Sequence, residues 1–190
     1  MQKDKKAYHH GDLRTQLLEK GIEMIDKNGL QGLSLRKLAA ECNVSHAAPY
    51  AHFKNKEALI NEIESYIANK WATVFRDAIK NHGINLEGLT ELCVANIMFF
   101  VHNKHYYSLF ESLGTTMGTG HEYEPFDIFA EYTAELFEKI GLEKELHKKT
   151  FAMYLAMLQG LTSLAIAQDA PREVLEVHVR DLLTTNYLLY

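Results

Sequence analysis

Apolar residues recur every three or four positions along most of the chain, which is the spacing of an amphipathic α-helix. Near the N-terminus this spacing places five aliphatic side chains on one helix face: Leu13, Leu17, Leu18, Ile22 and Ile25. Runs that alternate apolar and polar residues, as a half-buried strand would, do not stand out. The pattern therefore predicts an all-α protein of about nine helices.

The stretch from Gly32 to Lys56 predicts two short helices separated by a tight turn. Ser34 suits the N-cap of the first, because its hydroxyl can accept an amide of the first turn. Asn43 suits the turn, since asparagine tolerates a positive φ better than most residues. Ser45 is expected to cap the second short helix, with Pro49 in or just after its first turn, where a missing amide hydrogen costs least.

Longer helices are predicted on either side of this stretch. The first should run from about residue 11 to Asn28-Gly29, a typical left-handed helix ending. Asn55 should cap a fourth helix that reaches about residue 81. The other predicted helices cover 86–102, 104–113, 124–140, 146–168 and 171–190. The glycine-rich segment 114–121 is predicted to be a flexible loop that could act as a lid.

The second short helix carries small and polar residues where a core helix would carry leucines. Two short helices with a tight turn between them are the layout of a helix-turn-helix, which places a slim helix in the DNA major groove. Residues 1–56 are thus expected to form a DNA-binding domain. Residues 57–190 would form a helical body that positions it.

The first 60 residues resemble those of the TetR family of transcriptional regulators. The matching segments are Tyr8-His-His-Gly-Asp-Leu-Arg14, Gly32-Leu-Ser-Leu-Arg36, Leu38-Ala39, Val44-Ser45, Pro49-Tyr50, His52-Phe53 and Lys56-Glu-Ala-Leu59. The resemblance implies a homodimer that represses transcription until a small molecule enters the C-terminal domain. Two departures are Ala51, often a long basic residue in relatives, and Cys42-Asn43 in place of a commoner Ala-Gly pair.

Candidate DNA contacts lie in and around the second short helix. His46 could bind a base edge or a phosphate, and Ala47 and Ala48 would let the helix approach the groove floor and meet thymine methyl groups. The resemblance places His52 and Lys56 at the DNA backbone. The full candidate set is Ser34, Arg36, Ser45, His46, Ala47, Tyr50, His52 and Lys56. An N-terminal arm with Lys3, Lys5, Lys6, Tyr8 and His9 could follow the backbone or enter the minor groove.

Ordinary structural roles stay open for several of these residues. The alanines could merely favour a helix, Tyr50 could be a packing residue, and Lys56 could be a solvated lysine. Phe53 is expected to be core. The charge distribution is consistent with DNA binding, since residues 1–60 carry 10 Lys or Arg against 7 Asp or Glu, and the whole chain has a net charge of −5. A basic head on an acidic body would present one end to a polyanion.

The C-terminal domain is rich in aromatic residues and methionine, a composition that suits a mostly apolar pocket with a few orienting polar groups. Plain core packing remains the alternative for each residue. The candidate ligand-binding set is Trp71, Phe75, Phe99, His102, Tyr106, Phe110, Met117, Tyr154 and Met157. The effector would be a small apolar or amphipathic molecule. The resemblance places the dimer interface on helices eight and nine.

Other function classes receive less support. Cys42 and Cys93 lack the spacing of a metal or redox site, and no nucleophile motif is present. His102, His105 and His121-Glu122 could in principle hold a metal, but their spacing is loose. No signal peptide is evident and no apolar run approaches membrane-spanning length, so no cofactor, no membrane contact and a cytoplasmic location are expected. The leading hypothesis is a repressor bound to a pseudo-palindromic operator. The alternative is a helical enzyme or carrier that uses the aromatic pocket.

Overall fold

The computed structural model describes residues 10–112 and 123–187, without the side chains of residues 10–12, 111–112 and 186–187. Over these ranges all regular structure is helical, which confirms the predicted fold class. The eight α-helices are α1 His10–Gly32, α2 Leu35–Glu41, α3 Lys56–His82, α4 Leu86–His102, α5 Lys104–Ser112, α6 Glu124–Ile140, α7 Lys144–Gln168 and α8 Arg172–Tyr187. One short 3₁₀ helix covers Pro49–Ala51.

The chain divides into two compact units, Met1–Tyr66 and Ile67–Tyr190. Helix α3 contributes residues to both units, because it begins at Lys56 and ends at His82. The domain limit expected after residue 56 coincides with the start of α3, ten residues before the division between the units. That limit stays a prediction.

The N-terminal unit is built around the aliphatic face of α1. Leu17 and Ile22 are fully buried there, and Gly29 leaves the helical conformation at φ 65°, as its predicted role at the helix end requires. Ser34 caps α2 by accepting a hydrogen bond from the Lys37 amide at 3.2 Å. Asn43 adopts a φ of 54°, which confirms the expected left-handed turn residue.

The predicted second short α-helix is replaced by a tighter turn. From Ser45 onward, the backbone bonds join residues three apart, such as Ala48 to Ser45 at 2.9 Å and Tyr50 to Ala47 at 3.1 Å. Pro49 has no amide hydrogen to donate to the Ser45 carbonyl, so the bond that would begin an α-helix there cannot form. The segment therefore winds as turns and a 3₁₀ helix, and the described residues contain eight α-helices rather than nine.

The C-terminal unit is organised around α4. Twelve of its residues are buried, from Gly88 to Val101, because α7 and α8 both pack against this helix. Helix α6 in turn packs on α7 and ends at Ile140, as predicted, where Gly141 adopts a left-handed φ of 74°. A helix that is apolar on nearly all sides is stable only when neighbours surround it, so α4 forms the centre of this unit.

The turn between α3 and α4 is held by a tyrosine from α6. The Tyr132 hydroxyl oxygen lies 2.9 Å from the Gly83 carbonyl oxygen and accepts a hydrogen bond from the Asn85 amide at 3.2 Å. Asn85 caps α4 by accepting from the Gly88 amide at 2.8 Å. A Cβ atom on Gly88 would lie 2.2 Å from the Gly83 carbonyl oxygen and 2.4 Å from the Tyr132 hydroxyl. Glycine is therefore required at this position.

We expect Gly88→Ala to lower the free energy of unfolding by about 2 kcal/mol, because the added methyl group must push the turn and Tyr132 apart. Urea unfolding followed by circular dichroism measures the change. Tyr132→Phe is the companion variant, and the loss of one hydroxyl should cost about 1 kcal/mol. An unchanged midpoint for Gly88→Ala would contradict the described packing of this turn.

Candidate DNA-recognition surface and effector region

The segment from Ser45 to His52, called here the recognition segment, is held to the N-terminal unit by two buried side chains at or beside its C-terminal end. Pro49 is buried within it, and Phe53, directly after it, is only 1% exposed, which confirms Phe53 as a core residue. Ser45, His46 and Ala47, which precede Pro49, are exposed. Tyr50, which lies between Pro49 and Phe53, is 57% exposed. The segment thus offers small and hydrogen-bonding side chains to solvent on a narrow turn.

The other candidate DNA-contact residues in this unit differ in their exposure and in whether they already have a hydrogen-bond partner. Arg36 is exposed on α2. Ser34 is half-buried, and its hydroxyl oxygen is engaged as the α2 cap. His52 is half-buried, with its ring centroid 6.1 Å from that of Phe53. The N-terminal arm residues Lys3 to His9 lie outside the described residues.

Lys56 has an intramolecular partner. Its ammonium group donates a hydrogen bond to the Leu30 carbonyl oxygen at 2.5 Å, and the side chain is half-buried. That carbonyl follows the break at Gly29, and its backbone partner is the Leu33 amide at 3.3 Å. Lys56 therefore ties the start of α3 to the end of α1. This structural role was not evident from the sequence, because the two residues are 26 positions apart.

An aromatic cluster surrounds Trp71 in the C-terminal unit. The Trp71 indole is 2% exposed, and its ring centroid lies 5.0–6.4 Å from five phenylalanine rings. These five are Phe75, Phe99, Phe100, Phe110 and Phe126. Most of the contacts are edge-to-face or tilted, the geometry that aromatic quadrupoles favour. We call this group the Trp71 cluster.

The buried side-chain amide of Asn96 is hydrogen-bonded to Trp71, the central residue of the Trp71 cluster. The Trp71 Nε1–H donates to the Asn96 Oδ1 at 3.0 Å, and the Asn96 Nδ2 donates to the Thr162 Oγ1 at 3.4 Å. Asn96 is fully buried and Thr162 is 2% exposed. The chain of hydrogen bonds joins α3, α4 and α7. A buried polar group costs free energy unless it is paired, so this arrangement fixes the three helices in one register.

Only some of the candidate ligand-binding residues lie close to one another. Trp71, Phe75, Phe99 and Phe110 belong to the Trp71 cluster, and Tyr106 packs on Phe99 at 5.8 Å. Tyr154 instead packs on Phe137 at 5.9 Å. Met157 is half-buried on α7, and Met117 lies outside the described residues. These assignments remain predictions.

His102 lies on a separate surface. It is exposed and lines an open groove of about 470 Å³ together with the edge of Phe99. Arg172 and Glu91 also line this groove, and the Arg172 guanidinium pairs with Glu91 at 2.5 Å. The groove is rimmed by charges of both signs and is shallow, in contrast to the enclosed apolar surroundings of Trp71.

Sequence reasoning missed Asn96 and Thr162. The signal for Asn96 was present, since it is the single strongly polar residue in the apolar run from Leu92 to Val101. Polar residues in such runs are buried with a partner more often than they are exposed. Thr162 carried no comparable signal, because hydroxyl residues are common on α7.

The features needed for enzymatic chemistry are sparse in the described part of the chain. Within residues 10–112 and 123–187, no three His, Cys, Asp or Glu side chains converge on a possible metal site, and His121-Glu122 lie outside these ranges. Burial raises the pKa of the Cys93 thiol, and burial also raises the pKa of the half-buried Cys42 thiol. A raised pKa keeps a thiol protonated and unreactive at neutral pH.

Comparison with known proteins identifies the N-terminal unit. A family model described as "Bacterial regulatory proteins, tetR family" matches residues 17–63, the span that contains α2 and the recognition segment. The N-terminal region therefore resembles the TetR family of transcriptional regulators. A curated relative, the uncharacterized HTH-type transcriptional regulator YerO of Bacillus subtilis (strain 168), is 32% identical over 68 residues. That match covers 34% of this chain and 24% of YerO, so the chain spans about a quarter of that relative's length.

Solved structures share the fold over nearly the whole chain. A protein of unknown function from Rhodococcus sp. RHA1 has a TM-score of 0.74 at 23% identity, with 94% of this chain and 97% of that chain covered. The regulator FadR from Bacillus subtilis, in complex with stearoyl-CoA, has a TM-score of 0.70 at 15% identity, with 89% and 96% covered. The fatty acid degradation regulator FadR from Bacillus halodurans has a TM-score of 0.69 at 17% identity, with 96% of each chain covered.

We expect Lys56→Ala to lower the free energy of unfolding of the protein by about 1 kcal/mol, because the Leu30 carbonyl loses its charged donor. Lys54→Ala is the matched control: Lys54 is exposed two residues away, and its removal should change stability by less than about 0.5 kcal/mol. Chemical unfolding of both variants measures the difference. Equal effects of the two substitutions would refute the structural role of Lys56.

Proposed function

We propose that the protein is a sequence-specific DNA-binding regulator, most simply a repressor that a small-molecule effector releases from its operator. The observation that carries the proposal is the recognition segment, whose small and hydrogen-bonding residues are exposed while Pro49 and Phe53 are buried. A narrow, rigid and exposed turn with this composition suits insertion into a major groove. Its place within the matched TetR-family region supports the same conclusion.

In this proposal, His46 and Ala47 read base edges, while Arg36 and Tyr50 bind phosphates. Arg36 and Tyr50 are exposed, and an arginine or a tyrosine hydroxyl can donate to a phosphate oxygen without reorganising the fold. Lys56 is a weaker candidate for a DNA contact than the sequence alone implied, because its ammonium group already binds a carbonyl oxygen. The excess of basic residues in the first 60 residues favours approach to a polyanion.

A homodimer through α7 and α8 is the second part of the proposal. From Thr150 to Gln168, α7 carries no charged residue, and it is long and apolar enough by composition to cross a membrane, contrary to the sequence-based expectation. Only 28% of its most apolar stretch is buried within the subunit. Exposed apolar side chains on the two helices include Leu164 at 57% and Val177 at 58%. A second subunit would cover such a surface, as symmetric oligomers do.

The stripe Met153, Met157, Gly160 and Leu164 follows helical spacing along α7, so these residues share one face. Gly160 is exposed, and a Cβ there would meet nothing within 4 Å in the subunit, which leaves room for a close helix crossing. In a two-fold dimer, two recognition segments about 34–36 Å apart would match successive major grooves of a pseudo-palindromic operator.

The effector would bind in the C-terminal unit and would have to prefer the conformation that does not bind DNA, since equal affinity for both conformations shifts nothing. The apolar lining of the Trp71 cluster supports a small apolar or amphipathic effector. Two structural neighbours are FadR regulators, one solved with stearoyl-CoA. Long-chain acyl-CoA thioesters are therefore a reasonable first panel to test by the release of bound DNA.

Selection of bound fragments from the source genome, followed by affinity measurements at several salt concentrations, tests the DNA-binding function. We expect log K to fall by about 0.9 for each phosphate contacted as log [salt] rises. Arg36→Ala should flatten this slope by roughly 1, because one phosphate would no longer be neutralised by the protein. Lys148→Ala removes an exposed lysine of the C-terminal unit and should leave the slope unchanged. Absence of salt-dependent binding to any duplex would favour a carrier or enzyme instead.

Replacement of His46 tests whether this residue contacts a base edge or the DNA backbone. We expect His46→Ala to change the ranking of operator variants, because a side chain on a base edge discriminates by about 1–3 kcal/mol per base pair. Quantitative binding to a set of single-base operator variants measures this ranking. A uniform fall in affinity across the set would instead make His46 a backbone contact.

We expect Leu164→Glu to convert the dimer to monomers, because a charge at the centre of an apolar interface would be desolvated without a partner. Sedimentation velocity reports the mass of the particle in solution. Gln159→Glu, an exposed position on a different face of α7, introduces the same charge and should leave the dimer intact. A dimer that survives Leu164→Glu would move the interface away from this face.

A further inference from the structure

We propose that Asn96 is the polar anchor of the effector site, and that the effector is an apolar molecule carrying a neutral hydrogen-bond acceptor such as a ketone, ester, thioester or amide carbonyl. This inference rests on the proposed function and specifies its ligand chemistry.

The orientation of the Asn96 amide is fixed by its neighbour. An indole N–H can only donate, so the atom 3.0 Å from the Trp71 Nε1 must be the amide oxygen. The amide nitrogen therefore faces Thr162. It carries two hydrogens, of which one is directed to the Thr162 Oγ1 over a long distance of 3.4 Å.

The donor side of the amide is thus incompletely satisfied. No second acceptor for the Asn96 Nδ2 lies within hydrogen-bond distance in the part of the chain that the structure describes. Asn96 is fully buried, so its amide has no contact with bulk solvent. Buried donors are nearly always paired, and an incompletely paired one calls for an explanation. An acceptor supplied by a ligand would complete the pairing.

The residues around Asn96 determine which kind of hydrogen-bond acceptor a ligand could place beside its amide. The side chains of the Trp71 cluster carry no charge, and the two polar groups that cross it, Asn96 and Thr162, are neutral. An ionised carboxylate or phosphate there would be desolvated without a counter-ion, at a large cost. A carbonyl oxygen on an apolar body needs only one donor, which the Asn96 amide can supply.

A ligand would also have an approach to the cluster. Phe126 lies 5.5 Å from Trp71 between ring centroids and is half-buried, and half-buried Tyr107 lies 5.6 Å from Phe100. The cluster therefore reaches the surface of the C-terminal unit within one ring of Trp71. Displacement of one half-buried ring would open a path to Asn96 without unfolding a helix.

Two probes of similar shape test this chemistry. Benzophenone has two phenyl rings joined by a carbonyl, and diphenylmethane has the same rings joined by a methylene. Equilibrium dialysis of the full-length protein gives the affinity for each. The relevant quantity is the ratio of the two affinities in the wild type compared with Asn96→Leu, because differences in hydration of the free probes cancel in this comparison.

We expect Asn96→Leu to shift the ratio against benzophenone by about 5-fold, the value of one neutral hydrogen bond. Thr162→Val is the matched control: it removes the competing acceptor but keeps the amide, so the ratio should stay the same or move toward benzophenone. A ratio unchanged by Asn96→Leu, or wild-type protein that binds neither probe, would overturn the proposal. Intact operator binding in the same preparation would leave the regulatory function standing.

A second measurement does not depend on the folding of a variant. Irradiated benzophenone inserts into C–H bonds near its carbonyl carbon, and peptide mass spectrometry locates the adduct in the wild-type protein. Adducts on residues of α4 adjoining Asn96, or on the facing residues of α3 and α7, support the proposal. Labelling confined to the exposed groove around His102 or to α8 would contradict it.

Discussion

The recognition segment stays exposed because Pro49 and Phe53 are buried next to it. Burial of a phenylalanine contributes about 2 kcal/mol, enough to hold a short turn that makes few regular backbone bonds of its own. Asn43 reverses the chain just before the segment, and Asn55 caps α3 just after it by accepting from the Ala58 amide at 2.8 Å. The exposed residues between these fixed points are thus presented with little conformational freedom, which lowers the entropic cost of binding.

In the C-terminal unit, the packing must fix the register of α4 against its neighbours. Helix α4 is surrounded by other helices, and a wholly apolar interface would leave its register weakly specified. The Trp71–Asn96–Thr162 hydrogen bonds supply directional contacts inside that interface. One buried polar residue can fix the register of packed helices at some cost in stability. The same residue is then available to recognise a ligand, so structure and ligand specificity share one side chain.

Much of the fold was predictable from local signals. The apolar spacing of α1, the caps at Ser34 and Asn55, and the left-handed turns at Asn43 and Gly141 all act within a few residues of the chain. The 3₁₀ character of the recognition segment was missed because Pro49 was expected to be tolerated in a first helical turn, whereas here it falls where the Ser45 carbonyl needs a donor. Contacts between distant residues, such as Lys56 with Leu30, left no local pattern to detect.

In the proposed two-fold dimer, the exposed recognition segments enter successive major grooves. Methylation protection of guanine N7 atoms on a selected operator probes this arrangement, because the N7 atom lies in the major groove. We expect two protected patches about 10 base pairs apart on one face of the duplex. Tight binding without protection of any major-groove guanine, or a single protected patch, would contradict it.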